Sequence, residues 1–127
     1  MSNYVLDASV ILALLNNEPG SEIVLNVLTT AVISSVNLSE VVAKLADSGM
    51  PEVEVREVIS TLGLEIINFD TEMAYRAGML RPLTRSAGLS FGDRACLTLG
   101  KSLDLPILTT DRTWADLNLG INVRVIR

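Results

Sequence analysis

The sequence predicts a single α/β domain over residues 1–127, built on a five-stranded parallel sheet flanked by helices on both faces. Three observations predict it. Short apolar or β-branched runs alternate with longer segments whose apolar residues recur at helical spacing. The short runs carry almost no polar residues, as strands buried on both faces require. The length of 127 residues, with 49% hydrophobic residues and a mean hydropathy of +0.41, suffices for one core and hardly for two.

The elements follow in order. Tyr4-Val5-Leu6 is the first strand and ends at Asp7. Ala8 to Asn16 has helical character, and Pro19-Gly20 punctuates it. Glu22 to Leu28 is a second helix, and Ala31-Val32-Ile33 a second strand. From Asn37 to Ser48, Leu38, Val41, Val42, Leu45 and Ala46 fall at helical spacing. Gly49 ends that helix, Pro51 precedes the next at Val53 to Leu62, and Gly63 stops it. Leu64 to Asn68 is a third strand. Asp70 to Arg85 is one helix, kinked near Pro82. Phe91 to Leu103 is another helix and Pro106 to Thr109 a fourth strand. Trp114 to Leu117 forms a short helical turn, and Val123 to Ile126 a fifth strand. No repeat, low-complexity tract or linker interrupts the series.

Composition removes several chemistries. The chain contains no histidine, which excludes Ser-His-Asp and Cys-His catalysis and any histidine metal ligand. Its one cysteine, Cys96, excludes an intrachain disulfide and a cysteine-rich zinc site. The longest early apolar run, Val10 to Leu15, falls well short of the ~18 residues of a membrane span. No basic residue precedes it, so no export signal is expected, and a cytoplasmic location follows. The net charge is −5, unevenly spread. Residues 1–55 hold seven acids and one base, Lys44, whereas residues 56–127 hold nine bases and eight acids. Arg76, Arg81, Arg85 and Arg94 lie close together in sequence, a basic rim or an ordinary solvated helix face.

Ligands of open parallel sheets bind at the carboxyl ends of the strands. Asp7 ends the first strand, Asp111 follows the fourth, and Glu40 lies in the first turn of the helix after the second. Asp93 lies in the first turn of the helix from Ser90 and reaches that edge only by tertiary packing. Each acid has a bland explanation as a helix cap. Asp7 would cap the helix at Ala8, and Asp111 the short turn after it. Asn37-Leu38-Ser39-Glu40 and Ser90-Phe91-Gly92-Asp93 resemble capping boxes. Capping explains each acid singly but not their gathering at one edge. Clustered carboxylates repel one another, and a hard divalent cation such as Mg²⁺ or Mn²⁺ relieves that repulsion. A carboxylate-lined site of this kind suits phosphate-ester chemistry.

The sequence resembles the PIN-domain endoribonucleases, and among them the VapC-like toxins of toxin–antitoxin pairs. The resemblance spans essentially the whole chain. It rests on Tyr4-Val5-Leu6-Asp7-Ala8-Ser9, Asn37-Leu38-Ser39-Glu40-Val41, Gly88-Leu89-Ser90-Phe91-Gly92-Asp93-Arg94-Ala95 and Ile107-Leu108-Thr109-Thr110-Asp111-Arg112-Thr113-Trp114, in that order. It implies a metal-dependent endoribonuclease in which Asp7, Glu40, Asp93 and Asp111 are catalytic. Asp7 and Asp93 would be the principal ligands of Mg²⁺ or Mn²⁺, with Ser9 and Thr110 as supporting hydroxyls. A metal-activated water would attack the phosphodiester of a single-stranded RNA in line, leaving a 5′-phosphate and a 3′-hydroxyl. The resemblance also implies a homodimer held inactive by a cognate VapB-like antitoxin. One departure from the family pattern is Thr113, where many PIN domains carry a further acid; nearby Asp116 reads as a solvated residue.

Other residues admit plainer readings. Arg85 and Arg94 flank the Gly88–Asp93 segment, where they could meet phosphate, and Arg94 could equally pair with an acid. Trp114 and Cys96 read as core residues. Ala95 to Ser102 imitates a phosphate-binding loop but lies inside a helical pattern, with alanine at the first glycine position. Two alternatives to a nuclease remain. One is an inactive PIN fold serving as a binding scaffold. The other is an aspartate-based phosphoryl-transfer domain, although Ser9 stands where such phosphatases need a second Asp, and no lysine ends a strand.

Overall fold

The computed structural model describes residues 2–127. Five strands, β1 (Tyr4–Leu6), β2 (Ala31–Ser34), β3 (Glu65–Ile67), β4 (Ile107–Thr109) and β5 (Val123–Val125), form one sheet in the order β3-β2-β1-β4-β5. Every neighbouring pair is parallel. The chain moves outward from β1 to β2 and β3, then returns to the other side of β1 with β4. That reversal opens a crevice between the carboxyl ends of β1 and β4. The order also differs from the 2-1-3-4-5 sheet of receiver-type phosphoryl-transfer domains.

Seven helices connect the strands: α1 (Ala8–Leu15), α2 (Ser21–Val27), α3 (Ser35–Asp47), α4 (Glu52–Leu62), α5 (Thr71–Met79), α6 (Arg81–Thr84) and α7 (Phe91–Leu103). Side-chain alternation along the central strands feeds two cores. Leu6, Ala31, Ile33 and Leu108 pack with Val10 and Ile11 of α1, Val24 of α2 and Val41 of α3. Val5, Val32 and Ile107 pack on the other face with Cys96, Leu97 and Leu99 of α7 and with Trp114. Trp114 and Cys96 are both fully buried, as the sequence suggests.

Two elements differ from the sequence expectation. Helix α3 begins at Ser35, two residues early, because the Ser34 hydroxyl at the end of β2 accepts from the Val36 N–H. Strand therefore passes directly into helix, and Asn37 lies inside α3 rather than at its cap. Glu40 consequently sits in the second turn. The expected single helix from Asp70 to Arg85 is broken at Leu80 rather than kinked. Pro82 has no N–H to donate, and its ring would collide with the carbonyl four residues back. The chain restarts as the four-residue α6, followed by a 3₁₀ turn at Arg85–Ala87.

Helix α7 lies close on the sheet because it carries Gly100 there. A Cβ at Gly100 would overlap the side chain of Ile107, which is fully buried in β4. Gly100→Ala should therefore destabilise the protein despite a helix-propensity gain of up to ~1 kcal/mol. Overpacking of this kind costs about 1–3 kcal/mol. Thermal unfolding should show a lower midpoint for the variant; a higher midpoint would mean that Ile107 has room to move.

Candidate active site at the carboxyl edge of the sheet

Asp7 leaves β1 in extended conformation and stands at the N-cap position of α1, but its side chain caps nothing. The expected cap is replaced by a contact across the crevice. Asp7 Oδ2 accepts from Ser9 Oγ at 2.7 Å and from Thr109 Oγ1 at 2.9 Å. The same hydroxyls continue the network, since Ser9 Oγ accepts from the Thr110 N–H and Thr109 Oγ1 from the Asp111 N–H. Both hydroxyls thus stitch the end of β1 to the end of β4 and fix the Asp7 carboxylate. Among the described residues, Asp7 Oδ1 has no hydrogen-bond partner.

Asp7 is only 6% exposed, and burial pushes its carboxyl up to about 6 from an ordinary value near 3.8. The two hydroxyl bonds lower it in part, while the negative charges of Asp93 and Glu40 raise it further. Burial pushes the Cys96 thiol upward, and the same three carboxylates add to it. The structure therefore brings Glu40 and Asp93 within electrostatic reach of Asp7. Among the described residues, no cation forms an ion pair with them. The ion pairs among the described residues are Arg56–Glu52, Arg76–Glu72 and Arg127–Glu18, and none touches these acids.

Asp93 arrives on α7. Its capping box is complete: Asp93 Oδ2 accepts from the Ser90 N–H at 2.9 Å, and Ser90 Oγ accepts from the Asp93 N–H at 3.1 Å. The cap uses one carboxylate oxygen and leaves the other uncommitted. Glu40 reaches across from α3 to the start of α7. Its expected capping box with Asn37 does not form, because Asn37 Nδ2 donates to Glu40 Oε1 at 2.8 Å. Asp111 does cap its own turn, with Oδ1 accepting from the Thr113 N–H and hydroxyl. Asp116 is exposed on that turn, as expected of a solvated residue.

From the end of β4 it is the Thr109 hydroxyl that reaches Asp7, while Thr110, the hydroxyl expected there, donates its backbone N–H to Ser9 Oγ. Thr109 is fully buried among apolar strand residues, and its β-branched side chain reads in sequence as strand packing. Arg94 pairs with no acid. Its guanidinium donates to the Ala77 carbonyl at 3.0 Å and lies 5.8 Å from the Phe91 ring centroid. Arg85 is exposed.

Among the described residues, no three acidic or sulfur side chains are already gathered as a metal cage. Mg²⁺ asks for less, since one or two carboxylates suffice and water fills the remaining positions. A buried, cation-free carboxylate beside two further acids fits that donor set. Asp7 and Asp93 each have an oxygen with no hydrogen bond among the described residues.

The family model of the PIN domain matches residues 4–118, which contain all four acids. The chain belongs to the PIN domain family. Solved structures share the fold. This PIN domain aligns with a chain of the DNA-bound VapBC from Salmonella typhimurium at a TM-score of 0.79 and 23% identity, covering 100% of both chains. A toxin–antitoxin complex from Klebsiella pneumoniae matches at 0.77 and 19% identity, covering 98% of each chain. VapBC-1 from nontypeable Haemophilus influenzae matches at 0.73 and 18% identity, covering 96% of each. A comparison with curated protein sequences finds no match. Among the described residues, no helix of this PIN domain is long and apolar enough to cross a membrane.

Proposed function

We propose that this PIN domain is a divalent-metal-dependent endoribonuclease and the toxin of a toxin–antitoxin pair. The observation that carries the reading is Asp7, a buried carboxylate without a cation partner, set at the sheet's crevice with Glu40 and Asp93 adding negative charge. Asp7 and Asp93 would hold Mg²⁺ or Mn²⁺, and Glu40 and Asp111 would complete the acidic pocket. The bound cation would supply positive charge for the scissile phosphate and lower the pKa of the attacking water.

The chain's own residues do the positioning. Ser9 and Thr109 hold Asp7 in one orientation, with Oδ2 engaged. The Ser90 capping box holds Asp93 in the first turn of α7. The acids repel RNA phosphate until they are neutralised, so substrate binding and cation binding should be coupled.

Likeness to chains of VapBC complexes supports a VapB-like antitoxin as partner. Leu38, Val42, Met50, Val55 and Ile59 line an apolar groove of about 680 Å³ between α3 and α4, a surface suited to such a segment. Exposed Tyr75, Met79 and Leu83 on α5 and α6 offer a second apolar face, for a homodimer. The test is cleavage of single-stranded RNA with Mg²⁺ or Mn²⁺ and with EDTA. Products with 5′-phosphate and 3′-hydroxyl ends that vanish in EDTA are expected. Undiminished cleavage in EDTA, or none with either metal, would overturn the reading.

A further inference from the structure

Asn37 is fully buried in α3, yet among the described residues its amide oxygen Oδ1 has no hydrogen-bond partner. A buried unpartnered carbonyl is costly, so the residue is held in place by its other end. There Nδ2 donates twice, to Glu40 Oε1 at 2.8 Å and to the Gly92 carbonyl at 3.0 Å. The first acceptor is on α3 and the second on α7. Exchanging the amide's oxygen and nitrogen would point oxygen at two acceptors, which fixes the orientation.

Gly92 completes the arrangement. A Cβ at this position would overlap the Glu40 carboxylate, with Oε1 only 2.7 Å away. Gly92 is buried and helical, so its lack of a side chain serves the close approach of Glu40 rather than an unusual backbone angle. Glu40 is a long, flexible side chain whose charge and that of Asp7 repel each other, and among the described residues it forms no ion pair. Left alone it would swing toward water. The seat on Gly92 and the bond from Asn37 hold it beside Asp93, the next residue of α7.

We propose that Asn37 is a positioning residue that latches Glu40 onto Gly92 and thereby ties α3 to α7 at the acidic edge. Its bearing on cation binding rests on the function proposed above. Asn37 touches neither substrate nor cation in this scheme and acts through Glu40.

The test compares wild type with Asn37→Ala, Glu40→Ala, the double variant and Gly92→Ala. Two quantities are read: the Mn²⁺ dissociation constant by calorimetry, and the metal-free unfolding midpoint. Asn37→Ala should weaken Mn²⁺ binding about 10-fold or more, the usual effect of removing an outer partner that orders the groups around a cation. The double variant should bind no more weakly than Glu40→Ala alone. Gly92→Ala separates the two accounts. Helix propensity alone leaves Mn²⁺ binding unchanged, whereas the latch predicts weaker Mn²⁺ binding, similar to Asn37→Ala.

A lower midpoint in Asn37→Ala with unchanged Mn²⁺ affinity would overturn the proposal and leave Asn37 a packing residue. Losses that add in the double variant would also overturn it. If wild type takes up no Mn²⁺, the cation reading fails and the metal-free midpoints decide the latch. Losses from Asn37→Ala and Glu40→Ala that are less than additive would then support it, and additive losses would overturn it.

Discussion

Asp7→Asn is expected to make the metal-free protein more stable while RNA cleavage falls by on the order of 100-fold or more. The two effects have opposite signs because they read the same charge in two ways. The Asp7 carboxyl is raised from near 3.8 to about 6, chiefly by burial. Below pH 3.8 it is neutral in both the folded and unfolded states and costs nothing. Between pH 3.8 and 6 the unfolded chain ionises first, and the penalty on folding grows. Above pH 6 the penalty is complete, on the order of 3 kcal/mol. An asparagine keeps an oxygen for Ser9 and Thr109 and removes the charge. The variant's midpoint should therefore exceed that of wild type at pH 7.5 and converge with it near pH 4. A variant less stable than wild type at pH 7.5 would mean that the carboxylate's hydrogen bonds outweigh its burial.

Asp93→Asn is expected to separate capping from chemistry. Asparagine at this position still offers an oxygen to the Ser90 N–H, so the capping box survives. The metal-free midpoint should move by no more than the equivalent of ~1 kcal/mol. Cleavage should nevertheless fall by on the order of 100-fold or more, because a cation ligand is lost. RNA cleavage and unfolding measured on the same preparation check both halves. Undiminished cleavage would leave Asp93 as a helix cap.

The fold was legible because its signals are local. Tyr4-Val5-Leu6, Ala31-Val32-Ile33 and the segment from Phe91 to Leu103 carry their periodicity in their own residues. Boundaries failed where two local signals competed. Asn37 and Ser34 are both good caps, and the serine won because it ends the strand, leaving no loop between β2 and α3. Pro82 announced a disturbance, but whether a helix kinks or breaks depends on what packs against it.

The site was legible in part. Asp7, Glu40 and Asp111 follow strands whose topology carries them to one edge. Asp93 comes within reach of Asp7 through the packing of α7 on the sheet and on α3, which Gly92 and Gly100 permit by having no Cβ. Thr109 read in sequence only as a strand residue and Asn37 only as a helix cap, for one reason. Each is a polar residue in an apolar pattern, and its long-range partner, Asp7 or the Gly92 carbonyl, lies far away in sequence. A buried polar residue in a strand or helix interior is the signal that could have found them, since such residues require partners.

The most direct measurement is thermal unfolding of the wild-type protein as Mn²⁺ is added at pH 7.5. A cation that binds the folded protein at the acidic edge should raise its stability by about 2.7 kcal/mol at a hundredfold excess over its dissociation constant. Asp7→Asn and Asp93→Asn should lose most of that gain. A wild-type midpoint that does not move with Mn²⁺, or one that moves equally in both variants, would contradict a cation held by these carboxylates.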